Sequence, residues 1–152
     1  MKELLRLNFA GIVRKRRNGE VDTVITHAPE GFKTGNMPVA MHLMERIITQ
    51  DTPIACQDVT TEPWYSEMEH GKFPVRAFAG APIKIGSEVI GGVGFASLEP
   101  RDDAFLDIEI EVVRLAGSII AREFARKRAD DRVARREKAL RQMAATDPLT
   151  SL

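Results

Sequence analysis

The sequence predicts an α+β domain: a central antiparallel sheet of five to six strands, helices on both faces, and a long C-terminal coiled-coil helix. Two hairpin patterns predict the sheet, and one stretch without chain breakers predicts the long helix. Residues 122–141 contain no Gly or Pro, whereas the residues before them hold all 11 glycines and seven of the eight prolines. This contrast indicates a turn-rich body over residues 1–125 and a helical segment over residues 126–145.

The composition excludes several classes of function. The 152 residues include 22 basic and 22 acidic side chains, so the net charge is zero, which disfavours a nucleic-acid or membrane-surface partner. No stretch approaches the roughly 18 consecutive apolar residues of a membrane span, and no signal peptide is visible. The single Cys56 excludes an intrachain disulfide and a multi-cysteine metal or redox centre. A cytoplasmic location is therefore expected.

The first predicted elements are two hairpins. Residues 7–16 and 21–27 are extended, β-branched runs on either side of Asn18-Gly19, and an Asn-Gly pair in that position is the strongest short hairpin signal. Residues 76–85 and 89–97 flank a second turn. The small residues of the last run predict close packing of the strand against a helix.

A helix is predicted between the hairpins, over residues 38–50. Asn36 can cap it and Pro38 suits its first turn. Apolar residues recur along it at helical spacing. A short strand over residues 53–56 follows, and then a loop-rich segment over residues 58–74 that holds the only Trp and the only Tyr.

The C-terminal helix is expected to begin near Asp102 or Asp103 and to continue to about residue 145. Its first half carries two apolar stripes, so one can cover the sheet and the other can meet a second chain in a parallel homodimer. The segment over residues 122–141 has nine basic and four acidic residues, a local charge of +5. The residues predicted to form the dimer and signalling face are Val112, Leu115, Ile119, Arg122, Arg126, Val133 and Leu140.

The body resembles a known family of domains. The matching runs are Pro63-Trp64-Tyr65, the segments 75–85 and 86–97 around Gly86-Ser87-Glu88, Glu99-Pro100-Arg101, and the helix over residues 108–122. In this order they resemble a GAF domain. The resemblance implies a non-catalytic sensory module with a small-ligand cleft beneath residues 58–74. GAF domains usually open with a long helix, of which only residues 2–5 remain, so the N-terminal helix is expected to be truncated.

The C-terminal end carries a second resemblance. Ala145-Thr146-Asp147-Pro148-Leu149-Thr150-Ser151-Leu152 resembles the opening of a GGDEF, or diguanylate cyclase, domain. The resemblance implies that residues 146–152 begin such a domain, that the full-length protein is a diguanylate cyclase in cyclic di-GMP signalling, and that this chain is its regulatory input. The chain itself stops before any cyclase catalytic residue.

The segment over residues 58–74 is the candidate ligand site. Aromatic side chains with a few polar groups are typical of small-molecule pockets, although an ordinary solvated loop explains the same composition equally well. The candidate lining residues are Cys56, Asp58, Trp64, Tyr65, His70, Phe73, Arg76 and Phe78.

No cofactor is identified from the sequence, and an unknown small-molecule ligand is the expectation. A bilin is disfavoured, because Cys56 lies outside the segments in which bilin-binding GAF domains place their cysteine. A cyclic nucleotide is disfavoured because the N-K-F-D-E phrase of such GAF domains is absent. No metal site is expected, since the three histidines lie far apart in sequence.

Three alternatives stay open. The first is an enzyme acting through the same cleft, although no nucleophile or paired acid and base is visible at a readable spacing. The second is a ligand-free structural dimerisation module. The third is a GAF input to a different output domain.

Overall fold

The computed structural model describes residues 8–27, 37–71 and 74–145. Their strands form one antiparallel sheet in the order β2-β1-β5-β4-β3. The strands are β1 (Phe9–Lys15), β2 (Val21–His27), β3 (Ile54–Cys56), β4 (Ala77–Ile85) and β5 (Glu88–Ser97). The predicted α+β fold, with its antiparallel sheet and long C-terminal helix, is confirmed.

Both predicted hairpins are present. In the β1–β2 turn, Gly19 has a φ of +88°, which glycine adopts without steric cost, and the Asn18 side chain accepts a hydrogen bond from the Glu20 amide at 3.0 Å. The β4–β5 turn uses Gly86 at a φ of +62°. The two hairpins join through the pairing of β1 with β5.

Helix α1 (Pro38–Gln50) packs on one face of the sheet and buries Leu43 and Ile47 completely. Close approach depends on the glycines of β5, since a Cβ at Gly94 would lie 2.7 Å from the Met44 sulfur. The predicted cap Asn36 lies outside the described residues. The N-cap position is Met37, which makes no side-chain capping bond.

Helix α2 (Asp107–Ala145) packs on the opposite face and buries Val113, Ala116, Gly117 and Ala121. A Cβ at Gly117 would lie 2.8 Å from the backbone oxygen of Pro82, so the helix and β4 are in backbone contact there. From residue 126 to residue 145 every side chain is exposed. Within the described ranges, no helix has both the length and the apolar character needed to cross a bilayer.

The start of α2 differs from the prediction, because it begins at Asp107 and not near Asp102 or Asp103. The Gln57 side-chain amide donates to the carbonyl oxygens of Arg101 and Asp102, at 3.0 and 2.9 Å. These bonds hold Arg101 and Asp102 outside the helix, in the connection that precedes Asp107. The Glu109 carboxylate then accepts from the Leu106 amide at 2.9 Å and satisfies a backbone donor near the start of the helix.

Candidate functional site

The segment between β3 and β4 folds over the α1 face of the sheet as two short 3₁₀ helices, Val59–Thr61 and Tyr65–Glu67. Val59 is completely buried and anchors this segment to the same core that holds α1. Trp64 lies half-buried against that core, with its ring centroid 4.8 Å from the His42 ring. The segment therefore brings its aromatic residues to the surface of α1.

The indole nitrogen of Trp64 is the unusual polar atom of this region. Nε1 is buried, and it finds no hydrogen-bond partner among the residues that the structure describes. A buried donor without an acceptor costs about 1–3 kcal/mol, a cost that a hydrogen bond to a bound group would remove.

Tyr65 and His70 form a stacked pair beside Trp64. Their ring centroids are 4.0 Å apart with an angle of 10° between the planes. His70 Nε2 lies 3.0 Å from the Tyr65 carbonyl oxygen, which fixes the imidazole over the phenol ring. With Trp64 and His42, this pair forms a continuous aromatic surface, which we call the aromatic cluster: His42, Trp64, Tyr65 and His70.

Asp58 and Arg76 form a bidentate ion pair at the start of the segment. Arg76 Nη2 donates to Asp58 Oδ2 at 2.8 Å and Arg76 Nε donates to Oδ1 at 3.1 Å. Thr60 donates to the same carboxylate through its amide and its hydroxyl. The hydrogen bonds from Arg76 first, and then those from Thr60, hold the pKa of Asp58 well below its usual range. The pair ties the segment to the residue that precedes β4.

Cys56 lies at the end of β3, half-buried, with its sulfur 3.9 Å from Glu62 Oε1. Burial, and secondly the negative charge of Glu62, raise the pKa of the thiol to about 11. A thiol in this state is protonated at neutral pH and is a poor nucleophile.

The structure brings some of the predicted lining residues together and separates others. Trp64, Tyr65 and His70 form one surface, whereas Asp58 and Arg76 are committed to each other. Phe78 is 1% exposed and belongs to the core under α1. Phe73 lies outside the described residues.

His42 is not among the predicted lining residues, although its ring packs against that of Trp64. Its position on α1 is readable from the helical period, since it adjoins the buried Leu43. The sequence does not show that residues 58–71 fold over this part of α1. That tertiary contact is what brings His42 into the aromatic cluster.

The predicted dimer and signalling residues all lie on α2. Leu115, Ile119, Val133 and Leu140 are 55–60% exposed, whereas Val112 is half-buried. Arg126 is engaged within its own helix, where it pairs with Glu123 and, at 3.0 Å, with Asp130. The exposed apolar residues leave a surface for a partner, but dimerisation itself stays a prediction.

Among the described residues no group of three or more His, Cys, Asp or Glu side chains is placed to hold a metal ion.

Comparison with known proteins identifies the family of the chain. The sequence model of the GAF domain matches residues 1–124. A search of curated proteins returned no match. Among solved structures, the photoproduct state of GAF3 from Slr1393 of Synechocystis sp. is 15% identical, with a TM-score of 0.68, over 87% of this chain and 90% of that one.

Two further solved structures are similar. The GAF domain from a phosphoenolpyruvate-protein phosphotransferase of Coxiella burnetii is 21% identical, with a TM-score of 0.62, over 86% of this chain and 79% of that one. The red-light-absorbing state of a red/green cyanobacteriochrome is 16% identical, with a TM-score of 0.63, over 84% of this chain and 88% of that one.

These structures correct one expectation. Cyanobacteriochrome GAF domains, which bind bilin chromophores, are among the most similar solved structures, so the prediction that a bilin is disfavoured is wrong. That prediction depended on where Cys56 lies in the sequence, and the position of one cysteine does not determine which ligands the fold can accommodate. The family model covers most of the chain and the structures share its fold, so the chain belongs to the GAF domain family, whose role is sensory or regulatory.

Proposed function

We propose that this chain is the ligand-binding input of a diguanylate cyclase. A small molecule binds at the aromatic cluster, and helix α2 carries the change, as one half of a parallel dimer, into a GGDEF domain that begins at residues 146–152. The protein acts in the cytoplasm, where GTP is available. The chain itself is non-catalytic.

The observation that carries the proposal is the form of α2. It runs without a break from Asp107 to Ala145, and its last twenty residues, all exposed, span roughly 30 Å. Ile108, Leu115 and Ile119 are 66%, 58% and 55% exposed, outside the buried stripe that Val113, Gly117 and Ala121 form. A helix that is apolar on two faces needs a second partner, and one that extends beyond its own domain is suited to transmit a change.

The lower part of α2 supports a switch because it offers little apolar surface to a partner. Its seam includes Arg122 and Arg126 before the isolated apolar residues Val133 and Leu140. A coiled coil with arginines in its seam is only marginally stable. Two packings of such a coil differ by little free energy, so a ligand can shift their populations through a coupling of about 1–3 kcal/mol.

The ligand site is supported by the aromatic cluster. Trp64 Nε1, which has no partner among the described residues, offers a donor, and the stacked Tyr65 and His70 offer a flat surface. Planar, conjugated ligands suit such a surface, and a bilin is one probe of this chemistry.

Ligand binding is tested through Trp64, the only tryptophan of the chain, whose fluorescence reports on the cluster directly. Titration with phycocyanobilin is expected to quench the emission and to shift the absorption spectrum of the bilin. His42→Ala should weaken the effect, while His27→Ala, an exposed residue on β2, should not. Unchanged emission and absorption at millimolar protein and bilin would contradict this ligand.

The output is tested in the full-length protein that contains this chain. Conversion of GTP to cyclic di-GMP, measured by chromatography with and without the bound ligand, should change severalfold. Leu115→Glu combined with Ile119→Glu should abolish that dependence. Absence of any cyclic di-GMP from the full-length protein under all conditions would refute the cyclase assignment while leaving the ligand site untouched.

A further inference from the structure

A groove of about 910 Å³ lies between the two hairpin turns and the exposed part of α2. It is at the end of the sheet opposite the segment between β3 and β4. We call it the basic groove, after the side chains Lys15, Arg16, Arg17, Arg128, Arg132 and Arg135 that line it. Three come from the β1–β2 hairpin and three from α2. The end of α1 and the β4–β5 turn complete its walls.

The groove concentrates positive charge in a chain whose net charge is zero. Against its six basic side chains stand three acidic ones, Asp51, Glu88 and Asp131, so the lining carries a formal charge of +3. Asp51 is already paired with Lys84 at 2.7 Å, and Arg16 is paired with Asp22. The remaining five cations therefore face two carboxylates.

These five cations are unpaired in the part of the chain that the structure describes. None of Lys15, Arg17, Arg128, Arg132 and Arg135 has a carboxylate oxygen within ion-pairing distance there. Other arginines of the same helix behave differently. Arg114 pairs with Glu111 at 3.6 Å, and Arg126 pairs with both Glu123 and Asp130.

The helical period places the α2 arginines of the groove on one face. Arg128, Arg132 and Arg135 stand at i, i+4 and i+7, and that face is turned toward the hairpin. Cations from two separate elements thus converge on one space. Convergence of like charges raises the free energy of the fold, and a bound anion would lower it.

We propose that the basic groove binds a small anion that carries two or more linked phosphate groups. The guanidinium fork of arginine matches phosphate oxygens in bidentate geometry, and three of these forks on one helix face can engage successive phosphates. The volume lies within the range of small-molecule sites, about 300–1,000 Å³. The apolar residues Ile48, Val89 and Ile90 in the lining offer a contact surface for an organic part of the ligand.

The site would act on the transmitting helix itself. An anion held by both the hairpin and α2 ties the helix to the body just beyond the point where the helix leaves it, and so restrains the exposed segment. This inference is independent of the ligand at the aromatic cluster and of the domain that follows α2.

The test is isothermal titration calorimetry of the chain with inorganic tripolyphosphate at 100 mM NaCl, with sulfate as the reference anion. We expect saturable binding of one tripolyphosphate per chain and much weaker binding of sulfate. The paired change Arg132→Gln and Arg135→Gln should raise the Kd about tenfold or more, because it removes two charge-assisted contacts. Lys15→Gln with Arg17→Gln should weaken binding from the hairpin side.

The matched control is Lys127→Gln with Arg141→Gln. It removes the same charge from the same helix but leaves the lining of the groove unchanged. Circular dichroism checks that each variant keeps its helix. The proposal is overturned if tripolyphosphate gives no saturable heat, if the groove variants bind as the wild type does, or if the control weakens binding equally, since that would show attraction to the helix charge alone.

Discussion

At the scale of single residues, the segment that covers α1 is held by charge and the aromatic cluster is held by packing. The Asp58–Arg76 pair combines two hydrogen bonds with two more from Thr60, and it fixes where the segment leaves β3 and returns to β4. The aromatic cluster then lies on this fixed base. Loss of the pair should therefore loosen the cluster without dissolving the sheet.

We expect Asp58→Asn to lower the free energy of unfolding by about 1 kcal/mol at pH 7, a modest value because water partly screens the pair. The pKa of Asp58 is lower in the folded chain than in the unfolded one, so its charge stabilises the fold above the unfolded value, about 4. This contribution is lost as the pH falls further. Urea unfolding across that range should show the two proteins converging in acid.

The exposed Asp103→Asn serves as the reference for removing one negative charge. A stability gap between wild type and Asp58→Asn that stays constant from pH 7 to pH 2.5 would contradict the ion pair as its source.

Cys56 should react slowly with iodoacetamide. With a pKa of about 11 its thiolate is scarce at pH 8, so alkylation should be about tenfold or more slower than that of glutathione. Glu62→Gln removes the neighbouring negative charge and should accelerate the reaction, as measured by mass spectrometry. Alkylation of wild type at the rate of glutathione would show that the thiol is not held in this state.

How much of the site the sequence predicts depends on how far apart in the sequence the contacting residues are. The Asn18-Gly19 turn depends on neighbouring residues alone, and the sequence predicts it. The contact of His42 with Trp64 joins α1 to the segment after β3. No sequence pattern in α1 or in that segment predicts this contact. The same reason hides the basic groove, whose hairpin and α2 residues are more than a hundred positions apart.

At the scale of elements, α2 can pack closely on β4 because residue 117 of the helix is glycine. Gly117 lets the helix backbone meet the Pro82 carbonyl, and the buried Val113 and Ala121 flank this contact at helical spacing. The start of α2 was placed too early because Gln57 holds Arg101 and Asp102 out of the helix. Asp102 could cap a helix, but its carbonyl is held instead by a side chain 45 positions earlier in the chain.

Gly117→Ala should destabilise the domain by about 1–2 kcal/mol, although alanine favours the helix by about 1 kcal/mol. The added methyl would lie 2.8 Å from a backbone oxygen that cannot rotate away, so α2 must shift from β4. Thermal or urea unfolding measures the change. Ser118→Ala, an exposed neighbour, isolates the gain in helix propensity, and a Gly117→Ala protein as stable as that control would contradict the close contact.

At the scale of the whole molecule, the two faces of the sheet are covered by different elements. The α1 face carries the aromatic cluster, whereas the α2 face leaves apolar side chains outside the body. A dimer through α2 would place two aromatic clusters on the outer sides of the assembly, each one sheet thickness away from the shared helix.

Leu115→Glu with Ile119→Glu should convert the dimer that we predict into a monomer, because it sets like charges against each other in the partner interface. Sedimentation velocity at tens of micromolar chain measures the state. Ser118→Glu adds charge to the same turn and should leave the dimer in place. A wild-type chain that sediments as a monomer at this concentration would contradict the dimer.

The order of the strands also determines how the chain must fold. β1 pairs with β5, so Phe9 lies opposite Ala96, a neighbour more than eighty residues later in the chain. Closing so large a loop is entropically costly and slow, whereas β4 and β5 meet through a short turn. During synthesis the first hairpin leaves the ribosome long before its partner strand exists. The β1 edge stays open until β5 arrives, and this interval is when the nascent chain is most exposed to wrong pairing and most in need of a chaperone.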